Sequence, residues 1–441
     1  MIAVGDLQYN RNDVCIQGGI YVSYSQKLIN QIQSGELENI NELLKQAVEN
    51  DVDEDVYLLA DSLFQLGFLQ ETKTVLHQLQ LRHPEDDEIK VNLAEIAIEK
   101  GQDLQAIELL DQIGPRSSAY IQSLLVAADY YQTQGLPEVS ESKLLEAKKI
   151  MPEEPIIHLA LGELYYSMGK YTQATRWYSR LLEQGYHDMG GVSIKARLGS
   201  AYSASGAFEE ATPYLNEATQ DDEDIDTLFN LGLTYFQQEE FTRAIESFRR
   251  VLSLDHGYTS VYPYLVEALL AEHRLDEAAQ VIERGLTFDQ TNHYLYLVGA
   301  KVAIKQEQFT QARDYFQQAY QINPNSETTI LEYANFLMYR QDYVGAVTIL
   351  EEALSNFDTD PQIYWLLGNA YNELEQFEQA REAFSQAYDF FAETDEFLLD
   401  YATFLQEDGQ RERLREVVVR YLDIHPHNPE MTQLLHRLDD I

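Results

Sequence analysis

Four carboxylates recur along this chain at equal intervals, and they are the first candidates for chemistry. They stand 34 residues apart, at Asp61, Glu95, Asp129 and Glu163. A row of negative charges would attract the Lys or Arg side chains of a partner. We therefore take the four residues as a candidate acidic surface for a cationic segment. The alternative is that they are solvated helix faces in a chain already rich in acid.

Motifs for catalysis are missing from the sequence. We find no glycine-rich phosphate loop, no His-Glu-x-x-His, no paired cysteines and no nucleophile elbow. His425 and His427 flank Pro426 and could share a metal, but no thiol or carboxylate accompanies them, which favours a solvated loop. We expect a protein that is not an enzyme and that has no cofactor and no metal.

The same 34-residue interval governs the packing residues and reveals an internal repeat. If Asp61 is given slot 9 of a 34-residue frame, slot 8 is small in every copy except the one with Val266. The step between copies is 34 except for 37 before Gly199 and 33 before Gly232. The small residues of slot 8 are Ala60, Ala94, Ala128, Gly162, Gly199, Gly232, Ala300, Ala334, Gly368 and Ala402.

Each copy has the periodicity of two short amphipathic helices. In residues 361–394, Tyr364, Leu367, Gly368 and Tyr371 follow helical i, i+3, i+4, i+7 spacing. Small residues in slots 8 and 20 alternate with a bulky slot 24, which lets two helices cross closely. Slot 15 is suited to ending the first helix and carries Gly67, Gly101, Gly135, Gly169, Gly206 and Gly409.

These residues closely resemble the tetratricopeptide repeat, which has a small residue in slots 8, 20 and 27, a Tyr in slot 11 and a Pro in slot 32. Eleven full copies span residues 53–428. The resemblance implies an all-α fold in which tandem helix-turn-helix repeats form a right-handed superhelical solenoid. In general character the chain is similar to multi-repeat cytosolic proteins of low-GC Gram-positive bacteria.

The frame also predicts the domain organisation. Residues 1–22 lack the repeat pattern and are either a disordered arm or a segment upstream of a true start at Val22. Three extra residues within 185–191 are either a tolerated insertion or a hinge. Pro213 is expected to kink a second helix. The remaining predicted segments are a degenerate capping repeat at 23–52, repeats 1–4 at 53–191, repeats 5–11 at 192–428 and a capping helix at 429–441.

The resemblance implies a concave groove lined by slots 2, 5, 9, 12 and 13 of the first helices. In the C-terminal half these slots offer aromatic contact area and side-chain amides, which together suit an extended peptide. Some of the aromatics are alternatively expected to pack between repeats. No copy has Lys in slot 5, so the clamp of chaperone-binding members is not expected. The candidate residues are Phe229, Phe236, Tyr294, Asn335, Met338, Tyr339, Trp365, Asn369 and Asn372.

Composition narrows the class of partner and the compartment. The chain has 74 acidic against 31 basic residues, a formal net charge of −43, which disfavours nucleic acid and anionic membranes. Its single cysteine, Cys15, excludes an intramolecular disulfide, and no apolar run approaches a membrane span. These features favour a cytoplasmic protein.

We therefore expect a non-catalytic scaffold that binds a peptide segment of a partner protein, with a basic segment at its acidic surface. Two alternatives remain at this stage. The array could be a structural protein that binds a second copy of itself, as a weak homodimer or larger assembly. It could instead be a regulatory sensor that responds to a peptide by changing its superhelical pitch.

Overall fold

The computed structural model describes residues 22–221, 223–356 and 360–439. The prediction for the first 21 residues lies outside this part of the chain. The described residues form helical hairpins in succession, with one short β-hairpin, so the predicted all-α repeat class is confirmed. Their contacts divide the chain into two compact units, the first ending at Asn230 and the second beginning at Leu231.

The first unit begins with a helical hairpin and continues through the first five repeats. Its helices are α1 (Tyr24–Gln33), α2 (Ile40–Asn50), α3 (Asp53–Gln65), α4 (Leu69–Arg82), α5 (Asp87–Glu99), α6 (Asp103–Asp111), α7 (Tyr120–Thr133), α8 (Pro137–Ile150), α9 (Pro155–Ser167), α10 (Tyr171–Glu183), α11 (Ile194–Ala204) and α12 (Phe208–Asp221). Two strands, β1 (Asp188–Met189) and β2 (Val192–Ser193), lie between α10 and α11.

The division between the units falls inside α13 (Ile225–Gln237), the first helix of repeat 6. The helices of the second unit are α14 (Phe241–Leu254), α15 (Val261–Ala271), α16 (Leu275–Phe288), α17 (His293–Lys305), α18 (Phe309–Ile322), α19 (Glu327–Tyr339), α20 (Tyr343–Asn356), α21 (Pro361–Glu373), α22 (Phe377–Phe391), α23 (Asp395–Glu407), α24 (Arg411–Ile424) and α25 (Pro429–Asp439).

Slot 15 ends each first helix with a left-handed residue. Gly67 has φ +79, its N–H bonds to the Phe64 carbonyl at 3.0 Å, and the Phe68 N–H bonds to the Leu63 carbonyl at 2.8 Å. This is the Schellman arrangement, in which glycine avoids a Cβ clash. Repeats 6 to 10 keep the positive φ without glycine, and these strained residues are Glu239, His273, Glu307, Gln341 and Glu375.

The small residue in slot 8 lets the two helices of a repeat cross. A Cβ added at Gly368 would lie 2.9 Å from the Phe384 ring, and one at Gly232 would lie 2.5 Å from the Phe248 ring. Both rings are fully buried. The predicted pairing of a small slot 8 with a bulky slot 24 is therefore confirmed.

Two loops depart from the regular repeat. Helix α6 has nine residues where α4 and α8 have fourteen, because Gly114 and Pro115 end it early. The three-residue insertion forms the hairpin of β1 and β2, with Gly190 and Gly191 at positive φ in its turn. The insertion lies within the first unit, and its role as a hinge stays a prediction.

Two prolines lie within helices. Pro213 lies inside α12, which continues from Phe208 to Asp221, and the expected kink stays a prediction. Pro263 is the third residue of α15, within the first turn, where its missing N–H does not interrupt the helix.

At each end of the described chain, side-chain contacts hold the terminal helix in place. At the N-terminal end the Asp51 carboxylate accepts bonds from the Tyr24 N–H at 3.1 Å, the Ser25 N–H at 2.6 Å and the Ser25 hydroxyl at 2.8 Å. At the other end α25 places Leu434 in the core of the second unit. Among the described residues no helix is long and apolar enough to cross a bilayer.

Candidate protein-binding surfaces

First helices of neighbouring repeats pack against one another, as α5 does against α7, α15 against α17 and α21 against α23. Along this packing, slot 9 of one repeat meets slot 6 of the next. The bridging pairs are Glu163 with Arg197 at 3.0 Å, Ser200 with Asn230 at 3.1 Å, Lys301 with Glu332 at 3.0 Å and Asn369 with Asp400 at 2.8 Å. The slot-6 residues were not among the sequence candidates, although their 30- to 34-residue offset was readable from the same frame.

Three of the four predicted carboxylates lack such a bridge. Asp61, Glu95 and Asp129 have no hydrogen bond or ion pair to another described side chain, and we call them the acidic row. The slot-6 residues that follow Glu95 and Asp129 are Val126 and Ala160, which cannot donate a hydrogen bond from their side chains. The slot-6 residue that follows Asp61 is Asn92, whose amide forms no hydrogen bond with it, so the three carboxylates of the acidic row are unpaired within the described residues.

Glu95 lies at the centre of the acidic row and is half-buried. Burial, followed by the charges of Asp61, Asp129 and Glu99, raises the pKa of Glu95 from 4.5 to about 7. Partial loss of hydration also raises the pKa of Asp61. The raised pKa values show that the row brings carboxylates together without a basic partner from the described residues.

Glu163 differs from the other three carboxylates. Its Oε1 accepts a hydrogen bond from the hydroxyl of the buried Tyr178 at 2.8 Å, and the Arg197 guanidinium lies 3.0 Å away. Burial, with this carboxylate beside it, raises the pKa of Tyr178. Glu163 is therefore part of the packing between repeats 4 and 5.

The aromatic and amide candidates of repeat 10 also bond within the chain. The Trp365 indole N–H and the Asn369 amide both donate to Oδ2 of Asp400 at 2.8 Å. The Asn372 amide donates to Oε2 of Glu407 at 2.8 Å. These three side chains therefore join repeat 10 to repeat 11. For the aromatic Trp365 this is the alternative given above, in which groove aromatics pack between repeats.

The other candidates divide into packed and exposed residues. The Tyr294 hydroxyl donates to Oε1 of Glu267 at 2.6 Å, and Phe236 packs edge-on against Phe241 and Tyr264. Phe229 and Met338 are half-buried. Asn335 and Tyr339 are exposed, and Tyr339 keeps 68% of its surface accessible.

The histidine pair does not form a metal site in the described residues. His425 Nε2 lies 2.6 Å from Oδ2 of Asp395, and His427 is exposed. The same contact joins His83 to Asp53 at 2.7 Å in repeat 1. Across the part of the chain that the structure describes, no three potential ligands converge. The contact of His425 with Asp395 therefore joins the end of repeat 11 to the start of its first helix.

Comparisons with known proteins agree with this architecture. The family model described as YpiA-like tetratricopeptide repeats matches residues 132–186, and its C-terminal counterpart matches 361–428. General tetratricopeptide repeat models match 225–258 and 303–370.

Relatives of this chain are found among bacterial repeat proteins. The TPR repeat-containing protein YpiA of Bacillus subtilis (strain 168) is 32% identical over 415 residues, which cover 94% of this chain and 98% of the relative. A TPR repeat-containing protein of Treponema pallidum is 23% identical, over 63% of this chain and 32% of that protein. The solved structure of Pseudomonas aeruginosa pilF is 21% identical, covers 48% of this chain and 96% of that one, and has a TM-score of 0.41.

Proposed function

The chain belongs to the YpiA-like tetratricopeptide repeat family, and from this premise we propose that it is a non-catalytic scaffold that binds a cationic segment of a partner protein on the acidic row. Repeat arrays of this kind present extended surfaces to protein partners, which supports a general role as an interaction scaffold. A cytoplasmic location stays a prediction from composition.

The position of Glu95 carries the proposal. Its carboxylate is half-buried between two like charges, and Val126 stands where other repeats supply a bridging side chain. This arrangement opposes folding when Glu95 is ionised, because neighbouring charges and lost hydration disfavour the charged form. A Lys or Arg of a partner would supply the missing counter-charge and relieve both effects.

The spacing of the row suggests the form of the ligand. Packed helices lie roughly 8–10 Å apart, and an extended chain advances about 3.3 Å per residue. A segment that crosses the first helices would therefore meet successive repeats at every third residue. We propose that the bound segment is extended and carries a basic side chain at that interval.

The test compares two triple variants of equal charge. A fluorescein-labelled peptide with Lys at every third position is titrated against the wild type and against Asp61→Asn with Glu95→Gln and Asp129→Asn. Since an exposed pair contributes about 0–1 kcal/mol, three contacts in one row correspond to about a tenfold loss of affinity. The salt dependence of binding should also become flatter.

The matched control changes Glu85, Glu108 and Glu138 to Gln, three exposed carboxylates of the first three repeats. It removes the same charge from the protein but leaves the acidic row intact. Affinity for the Lys peptide should stay within about twofold of wild type because general attraction is screened by salt. An equal loss in both triple variants would show that the peptide senses net charge alone, and would dispose of the proposal.

A further inference from the structure

A second surface, in repeats 8 and 9, has chemistry opposite to that of the acidic row. The Arg340 guanidinium lies 4.3 Å from the centre of the Phe309 ring, and the Tyr339 ring lies 6.1 Å from the same ring. Tyr339 and Val344 expose 68% and 64% of their surfaces. We call Phe309 and the two side chains that lie against it, Tyr339 and Arg340, the Arg340 patch.

Arg340 differs from the other stacked arginines of the described residues. Arg243 stacks on Tyr235 at 4.1 Å and also pairs with Glu240 at 2.7 Å. Arg413 stacks on Tyr388 at 4.3 Å and pairs with Glu416 at 2.6 Å. Arg340 has the ring but no carboxylate partner among the described residues.

The Arg340 guanidinium lies over the Phe309 ring, and the side chain is exposed. A guanidinium held by an aromatic face keeps its planar set of donors, which matches a carboxylate in two parallel hydrogen bonds. The ring also limits the freedom of the side chain, so less entropy is lost when a ligand binds. The donors of Arg340 are therefore open to a carboxylate that the described residues do not supply.

The charges around Arg340 favour the same ligand. Among groove slots 2, 5, 9, 12 and 13 of all eleven repeats, the basic residues are Lys301 and Lys305, both in repeat 8. Glu332, on the adjacent helix, is already paired with Lys301 at 3.0 Å. Asp342, the carboxylate two residues after Arg340, is already paired with Arg313 at 2.7 Å.

We propose that the Arg340 patch binds a partner segment that carries a carboxylate beside an apolar side chain. The carboxylate pairs with Arg340, and the apolar side chain covers the Tyr339 ring, which is otherwise exposed to water. This ligand differs in charge from that of the acidic row, so the scaffold holds two chemically distinct segments.

The test uses two labelled heptapeptides and fluorescence anisotropy. One alternates Glu with Leu and Phe, and the other has Lys in place of each Glu. The Glu peptide should bind wild-type protein, and Arg340→Gln should weaken it about tenfold through loss of a charge-assisted contact. Tyr339→Ser should weaken it to a similar degree, and neither exposed change should alter the melting temperature.

Two controls separate this surface from the acidic row. Arg243→Gln removes a stacked arginine that already has a carboxylate, and it should leave binding of the Glu peptide unchanged. The triple variant of the acidic row should also leave Glu-peptide binding intact, while it weakens the Lys peptide. Equal binding of the Glu peptide to wild type and Arg340→Gln, or no saturable binding to wild type, would overturn the proposal.

Discussion

Replacing Glu95 with Gln should make the first unit more stable at neutral and alkaline pH. The pKa of Glu95 is raised from 4.5 to about 7 in the folded chain, so the folded state holds this proton more tightly than the unfolded state. Between these two values the stability of the wild type therefore falls as pH rises. A Gln at this position has the same shape and no charge, and removes that dependence.

The expected gain in stability follows from how far the pKa of Glu95 is raised. A rise from 4.5 to about 7 corresponds to about 3 kcal/mol at pH above 7. Glu95 is half-buried, and water and salt screen part of this cost. We therefore expect Glu95→Gln to stabilise the surrounding repeats by about 1–2 kcal/mol near pH 8 and by almost nothing near pH 4.

Hydrogen exchange of α5 is the appropriate assay because long repeat arrays depart from two-state unfolding. Protection of the α5 amides is compared between wild type and variant near pH 5 and near pH 8, after correction for intrinsic exchange. The matched control is Glu108→Gln, which removes an exposed carboxylate from the second helix of the same repeat. Its effect should be small and the same at both pH values.

The raised pKa of Glu95 can also be measured directly. A carbon-13 titration of its carboxyl should give a pKa near 7 in wild type, and Asp61→Asn should lower it by removing a neighbouring charge. A pKa close to 4.5, or equal stabilisation by Glu95→Gln at both pH values, would refute the electrostatic account of the acidic row.

Three further predictions concern the helix crossing, the contact between repeats 10 and 11, and the turn within a repeat. Gly368→Ala should destabilise the chain by about 1–3 kcal/mol through contact with the Phe384 ring, and Phe384→Leu in the same chain should recover most of the loss in urea melts. If Gly368→Ala with Phe384→Leu is no more stable than Gly368→Ala alone, the Phe384 ring does not limit how closely the two helices cross. Asp400→Ala should cost about 1–3 kcal/mol by leaving two donors of repeat 10 without their acceptor, and the tryptophan emission should shift to the red; unchanged emission would contradict it. His273→Gly should stabilise by about 1 kcal/mol by relieving a positive φ, whereas Gly67→Ala should destabilise by a similar amount; effects of the same sign would contradict the strain argument.

The sequence predicted the repeats well because their packing depends on side-chain size at fixed steps. The small slot 8 and the bulky slot 24 determine how closely two helices cross, and both are visible in the residue types. Val266, the one exception in slot 8, is fully buried, and Gly285 in α16 of the same repeat leaves room for the Tyr262 ring, which an added Cβ would approach to 2.8 Å. The early end of α6 was also readable, from Gly114 and Pro115.

The candidate surfaces were harder to predict because polar side chains have several reachable partners. The groove slots of Trp365 and Asn369 gave no sign that one carboxylate, Asp400, would accept bonds from both. The same limitation applies to Glu163, whose type is identical to that of Glu95 but whose surroundings include Arg197 and the Tyr178 hydroxyl.

The interval between bridging residues nevertheless shows which slot-9 carboxylates the next repeat can bridge through slot 6, although Glu267 is paired by another route, through the Tyr294 hydroxyl. In regular repeats the slot-6 partner lies 31 residues after slot 9, as from Lys301 to Glu332 and from Asn369 to Asp400. The same interval from Glu95 and Asp129 reaches Val126 and Ala160. An array selected for stability alone would gain from a basic residue there, as repeat 5 does with Arg197. Apolar residues in both places keep the carboxylates unpaired at a cost in stability, which is the arrangement expected where the counter-charge comes from a partner.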